Sequence, residues 1–236
     1  RSSDLNMREL DYFILRKELQ GRHRFLSCIS SWTNEDFIQE VHTVKDAQFL
    51  SGDGVAVKVL HKNGDTDYVL LSDDYDTCCI VEENKVLSGG FCILRFRENQ
   101  LIYAFTDGGT SAGTRDQLNI KEKTGIIEGT VTSFTKDITT ECFIDISFNG
   151  EAPSDFLKDP KRHRHVFIKT GEKSVSAFKI FGYEQKDGLL RLNIGNSSPI
   201  RSLKDPKDET QGFIYEIEEG MSAWIPISYE YINGEA

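Results

Sequence analysis

The densest concentration of chemically capable side chains is Lys161-Arg162-His163-Arg164-His165, with Lys158 just upstream. The chain carries a formal net charge of -10, so this segment is a local reversal of sign. Arginine forks match the paired oxygens of carboxylate and sulfate. Arg162, His163, Arg164 and His165 are therefore read as a candidate glycan- or anion-binding segment for an acidic polysaccharide. The competing reading is a solvated strand start whose charges are offset by Asp155 and Asp159. In an extended segment His163 and His165 share a face and would supply two metal ligands, but a zinc site needs a third and usually a fourth. His23, His42 and His61 lie far off in sequence, and neither a metal nor a cofactor is assigned.

Other segments invite chemistry and fall short of it. Asp107-Gly108-Gly109-Thr110-Ser111-Ala112-Gly113 has the glycines of a phosphate loop but lacks the lysine and the amphipathic helix that such a loop needs, so it reads as a flexible connection. Asp73, Asp74 and Asp76, with Glu82 and Glu83, have no EF-hand order and read as a solvated acidic turn. There is no Gly-x-Ser-x-Gly elbow and no locally supported Cys/His pair. No two carboxylates stand out as a glycosidase acid and base. No catalytic residue is assigned. Trp32 and Trp224 could stack on sugar rings, but each lies in an apolar neighbourhood that favours packing within or between sheets.

Charge and composition bound the partners. An acidic chain repels a nucleic-acid backbone, and no apolar run approaches the roughly 20 residues needed to span a bilayer. Neither nucleic acid nor a membrane span is expected. The opening Arg1-Ser2-Ser3-Asp4 has no Met and no apolar signal core, and reads as cut from something longer. Cys28, Cys78, Cys79, Cys92 and Cys142 form no CxxC pair, so they read as buried free thiols and lean toward a cytoplasmic, reducing compartment.

The elements that must position these groups are strands, because apolar residues recur with period two nearly everywhere. Tyr12 to Lys17 and Arg24 to Ser30 form a predicted hairpin. Val55, Val57 and Val59 pair with Tyr68 and Leu70 across Asn63-Gly64, a dipeptide suited to a type I′ turn. Phe91 to Phe96 pairs with Leu101 to Phe105. The apolar pattern then pauses until Ile126, which puts a domain boundary near residue 118. Further strands are predicted at 126–134, 141–148, 165–170, 174–181, 189–194, 213–217 and 223–227, with single helical turns near Asn34 and over 154–158. The expected fold is all-β: an antiparallel β-sandwich or stacked sheets in two β subdomains, residues 1–118 and 119–236.

Several of these segments together resemble the C-terminal β region of heparinase II/III-type polysaccharide lyases. They are Asp11 to Leu19 followed by Gly21-Arg22 and Arg24 to Ser27; Val55 to Val59 and Asn63 to Leu70; Glu128 to Thr132; Arg162 to Ile168; and Ile225 to Tyr229. The resemblance spreads over nearly the whole chain. It implies that residues 1–118 are part of a central β layer and residues 119–236 a C-terminal β-sandwich. It further implies an N-terminal helical catalytic domain of the same polypeptide as partner, an acidic polysaccharide as substrate, and a secreted or periplasmic setting. Catalytic Tyr and His residues would then lie ahead of Arg1, leaving this chain to brace the helical toroid. The alternatives are an independent carbohydrate-binding β-sandwich, which needs exposed aromatics in a row, and an adhesion-type sandwich with protein partners.

Overall fold

The computed structural model describes residues 37–148, 164–186 and 188–234, with backbone only at Arg164 and Lys186. The predicted hairpin of residues 12–30, both helical turns, Cys28, Trp32, Arg162 and His163 lie outside the described residues. Every described element is a strand, and every pairing is antiparallel. The first ten are β1 (Ile38–Thr43), β2 (Gln48–Ser51), β3 (Val55–His61), β4 (Thr66–Leu71), β5 (Cys78–Val81), β6 (Lys85–Ser88), β7 (Phe91–Arg97), β8 (Gln100–Asp107), β9 (Ser111–Thr114) and β10 (Leu118–Lys121). The second ten are β11 (Ile126–Phe134), β12 (Cys142–Phe148), β13 (Arg164–Lys169), β14 (Val175–Ile180), β15 (Gly182–Lys186), β16 (Leu189–Gly195), β17 (Ile200–Asp205), β18 (Asp208–Tyr215), β19 (Ser222–Pro226) and β20 (Ser228–Ile232).

Two hydrophobic cores result. A six-stranded sheet, β1-β3-β4-β7-β8-β20, faces a five-stranded sheet, β10-β9-β6-β5-β2. Alternation sends Ala56, Leu70, Leu94 and Ala104 inward to meet Cys79, Val81, Leu87 and Ala112. A seven-stranded sheet, β14-β13-β19-β11-β12-β16-β15, encloses the second core around Ile144, Ile146, Val166, Leu190, Leu192 and Ile225. The β17–β18 hairpin stands beside it as a separate two-stranded ribbon. The first core ends at Ile120 and the second begins at Ile127. The chain nevertheless returns at its end: β20 pairs with β8, and Tyr229 packs against both cores. Residues Trp32–Ala236 accordingly form one compact unit.

Local turn chemistry departs from the sequence expectation. Asn63-Gly64 does turn the β3–β4 hairpin, but not as type I′: Gly64 alone is left-handed (φ 88°), and its N–H donates to the His61 carbonyl at 3.0 Å. Asn63 Oδ1 instead accepts the Asp65 N–H. The true left-handed pairs are Glu82-Glu83 (φ 43° and 66°) and Glu98-Asn99 (φ 50° and 65°), which close β5–β6 and β7–β8. Glutamate adopts this conformation at a cost of about 1–2 kcal/mol, so the strands and side-chain contacts must impose it.

The Asp107–Gly113 stretch is a rigid crossover rather than a flexible connection. Gly108 (φ 73°) presses its backbone onto the Tyr75 ring, and its N–H donates to the Ile227 carbonyl at 2.9 Å. Gly109 lies so close to the Ser88 carbonyl that a Cβ there would overlap it. The segment delivers the chain from β8 in one sheet to β9 in the other.

Candidate functional site

The seven-stranded sheet turns one face inward and the other outward, and its outer face gathers the aromatic and charged residues. Glu128 on β11 is the register partner of Trp224 on β19, which is in turn the partner of Phe167 on β13. The Phe167 and Trp224 rings are nearly parallel, 16° apart, with centroids at 5.7 Å, and both are half-buried. His165 lies two residues before Phe167 on the same face, opposite Lys179 of β14. Its ring centroid is 6.3 Å from that of Phe167. Of the four residues of the predicted anion segment, Arg164 begins the strand and His165 joins this aromatic row.

At the Glu128 end the surface falls into a cleft of about 470 Å³ between the two cores. Ile126, Glu128 and Lys123 form its near wall, and Tyr75, Asp76 and Thr110 its far wall. The lining is rich in hydroxyls, and Lys123, Glu128 and Asp76 are exposed. The joint beneath is tightly built. The Tyr229 hydroxyl donates to the Thr124 carbonyl at 2.6 Å, the Ile227 N–H donates to Gly125, and Ser88 Oγ donates to the Ser111 carbonyl at 2.7 Å. Burial, with the Asp107 carboxylate nearby, pushes the Tyr75 phenol above its usual range, so its hydroxyl stays protonated.

A second groove, about 390 Å³, opens at the β12–β16–β15 edge beside Phe143, Tyr183, Glu184 and Asn193. Arg191 lies 4.2 Å from the Phe143 ring centroid, and its fork is occupied by Asp145 at 2.8 Å on both oxygens. That pairing raises the Arg191 pKa and keeps the guanidinium committed to a carboxylate of the chain itself.

Two polar clusters belong to the first core. On the outward face of the six-stranded sheet, Asp67 accepts from His61 Nε2 at 2.8 Å and from Arg95 at 2.7 and 2.8 Å. Asp65 is held by Arg97, whose guanidinium keeps that carboxyl down at about 2. His61 Nδ1 is buried and has no hydrogen-bond partner among the described residues. Inside the sandwich edge, Glu82 accepts from Lys58 at 2.6 Å, from Lys85 at 3.2 Å and from the Tyr68 hydroxyl. The acidic stretch is thus not uniformly solvated. Asp73, Asp74 and Asp76 are exposed, whereas Glu82 is half-buried and anchored.

The sequence marks Trp224 as able to stack on a sugar but favours a packing role for it, and it does not mark Phe167, Glu128, Lys123 or Tyr75 as site residues. Alternation along β13 and β19 would have put Phe167 and Trp224 outward, but nothing local says that the two strands are neighbours. His42 is exposed and pairs with Glu40 at 3.0 Å, far from His165 in the sheet order. Among the described residues no group of three or more His, Cys, Asp and Glu side chains could hold a metal ion. Cys79, Cys92 and Cys142 are buried free thiols, and burial pushes the first two up to about 12. No described helix is long and apolar enough to cross a membrane.

Fold and site define an all-β protein of two antiparallel cores with a polar cleft and an aromatic row at their junction. No protein-family model matches the chain, and no curated protein or solved structure matches it either.

Proposed function

We propose that this chain is the supporting β portion of a polysaccharide lyase of heparinase II/III type, bracing a helical catalytic domain and forming one wall of its glycan cleft. The observation that carries the reading is the six-stranded sheet, which is apolar on its inward face and over part of its outward face, beside the Asp67 and Asp65 ion pairs. Its inward face builds the first core. Its other face presents Val57, Val69, Ile93 and Phe105 in one cross-strand row, with Leu71 and Phe91 in the next. Val57 is only 4% exposed, and its row partners are half-buried. A sheet with an apolar stripe on its second face can take a further layer against that stripe. A stack of this kind gives a catalytic domain a stiff base, and catalysis requires reacting groups to be held within a fraction of an ångström.

In this reading the β-elimination residues belong to the helical domain, and the sheets supply placement. The test compares this chain alone with the polypeptide of its full reading frame, using release of unsaturated uronate from heparin and alginate. Turnover by the full polypeptide and none by the chain alone is expected. A reading frame without a helical domain, or robust turnover by the isolated chain, overturns the proposal.

A second reading, an independent carbohydrate-binding module, is favoured by the Trp224–Phe167 pair on an outward sheet face. Tight glycan binding by the chain from a reading frame that encodes nothing helical would select it.

A further inference from the structure

We propose that the Phe167–Trp224 row, the Lys179 and Lys123 ammonium groups that flank it and the cleft beyond Glu128 form one continuous subsite for an acidic oligosaccharide. The inference rests on the polysaccharide reading and gives it an address on the chain.

The geometry supports an extended ligand laid across the strands. β13, β19 and β11 are consecutive in the sheet, and each contributes one residue to the row: Phe167, Trp224 and Glu128. Neighbouring strands lie about 4.8 Å apart, close to the length of one pyranose unit, so a glycan crossing them meets a new side chain at each sugar. The stacked Phe167–Trp224 pair, its inner ring faces turned to each other, offers its outer apolar ring edges to the C–H groups of the sugars that cross it. Glu128 follows with oxygens that accept sugar hydroxyl protons, and the next unit enters the cleft among Tyr75, Thr110 and Asp76. About four sugars span the whole path.

The flanking charges select for an acidic ligand. Lys179 lies across the strand pair from His165 at one end of the row, its ammonium 5.0 Å from the Phe181 ring centroid, and exposed Lys123 forms part of the cleft wall at the other. Ammonium groups at the two ends of a row of rings suit a chain whose carboxylates recur along its length. Glu128 and Asp76 oppose a carboxylate placed directly on them, so the acidic groups must lie toward the lysines. The site is therefore a discriminating one and not a general attraction for polyanions, in keeping with the net charge of -10.

The experiment is isothermal titration calorimetry of the 236-residue chain with three probes: an alginate tetrasaccharide, a heparin-derived tetrasaccharide and neutral cellotetraose. It is repeated on Trp224→Ala, Trp224→Phe and Lys123→Glu, each checked for an unchanged thermal unfolding transition. At least one acidic tetrasaccharide should bind and cellotetraose should bind at least tenfold more weakly. Trp224→Ala and Lys123→Glu should each lose about tenfold in affinity, the equivalent of one lost stacking or charge contact. Trp224→Phe should retain most of the binding, and it carries the test if the alanine variant does not fold. Equal affinity in wild type and Lys123→Glu overturns the subsite while leaving the lyase reading intact. Preference for cellotetraose, or no binding by the wild-type chain, also overturns it. The lyase reading is judged separately, by the reading frame and by turnover.

Discussion

Glu82 gives the sharpest quantitative test of how the first sandwich is held together. It sits in a left-handed turn (φ 43°) that a glutamate avoids, yet three donors converge on its carboxylate: Lys58, Lys85 and the Tyr68 hydroxyl. Burial pushes this carboxyl up, but the hydrogen bonds from Lys58, Tyr68 and Lys85 outweigh it and hold it at about 2 against an ordinary 4.5. At about 1.4 kcal/mol per pH unit, that depression sets a ceiling of roughly 3 kcal/mol. The side chain is 36% exposed, so solvent screening reduces the expected contribution to about 1–2 kcal/mol. The sign follows from linkage. A carboxyl whose folded pKa is depressed stabilises fully above its unfolded value, and the contribution fades as pH falls from about 4.5 toward 2. Glu82→Gln keeps an acceptor for Tyr68 but removes the charge facing two lysines. Urea unfolding at about pH 7 should show it less stable by about 1–2 kcal/mol, and the gap should close near pH 2. Equal midpoints at neutral pH would refute the argument, as would a gap that persists undiminished in acid.

Four further outcomes follow from other residues of the fold. Glu83 is exposed and left-handed (φ 66°), so Glu83→Gly should stabilise by about 0.5–1 kcal/mol, read as a higher urea midpoint. Asp67→Ala strands buried His61 and half-exposed Arg95 and should cost about 3 kcal/mol; an unchanged midpoint would mean that the network contributes nothing. Gly108→Ala would drive a methyl group into the Tyr75 ring at a left-handed position and should cost at least about 2 kcal/mol. Gly64→Ala, left-handed with open space around it, should lose only about 1 kcal/mol by the same urea assay.

Period-two patterning made the long strands legible, because each places three or four side chains on a buried face. Val55 to Val59, Phe91 to Phe105 and Ile126 to Phe134 were readable for this reason. The four-residue strands β2, β5, β6, β9 and β10 were not. β9, for example, buries only Ala112 and Gly113, which leaves no alternation to detect. β20 alternates plainly as Ser228-Tyr229-Glu230-Tyr231-Ile232, but its return to β8 is a pairing across more than a hundred residues. Turn positions were legible and turn types were not. Asn63-Gly64 has the composition for a left-handed pair, whereas Glu82-Glu83 is left-handed against its own preference because Lys58, Lys85 and Tyr68 hold it there. The site was half legible for a related reason. A cationic run is visible along the chain, but the aromatic row that its last residue, His165, joins comes from strands brought together only by the sheet order.

The return of β20 also explains how a cleft between two cores keeps its shape. Two sandwiches joined only by Glu122 to Gly125 would hinge, and a cleft between them would open and close with that hinge. Here the chain crosses the joint twice. The second crossing ties Ile227 to Gly108 and Gly125, and Tyr229 both to Thr124 and to the two cores. Gly108 and Gly125 lie in direct backbone contact at this point, leaving no room for a side chain on Gly125. Tyr75, Thr110, Lys123 and Glu128 therefore occupy fixed places on opposing walls rather than on two bodies that drift. A ligand of matching length then pays little to order the site, and this preorganisation lets a handful of weak sugar contacts become measurable affinity.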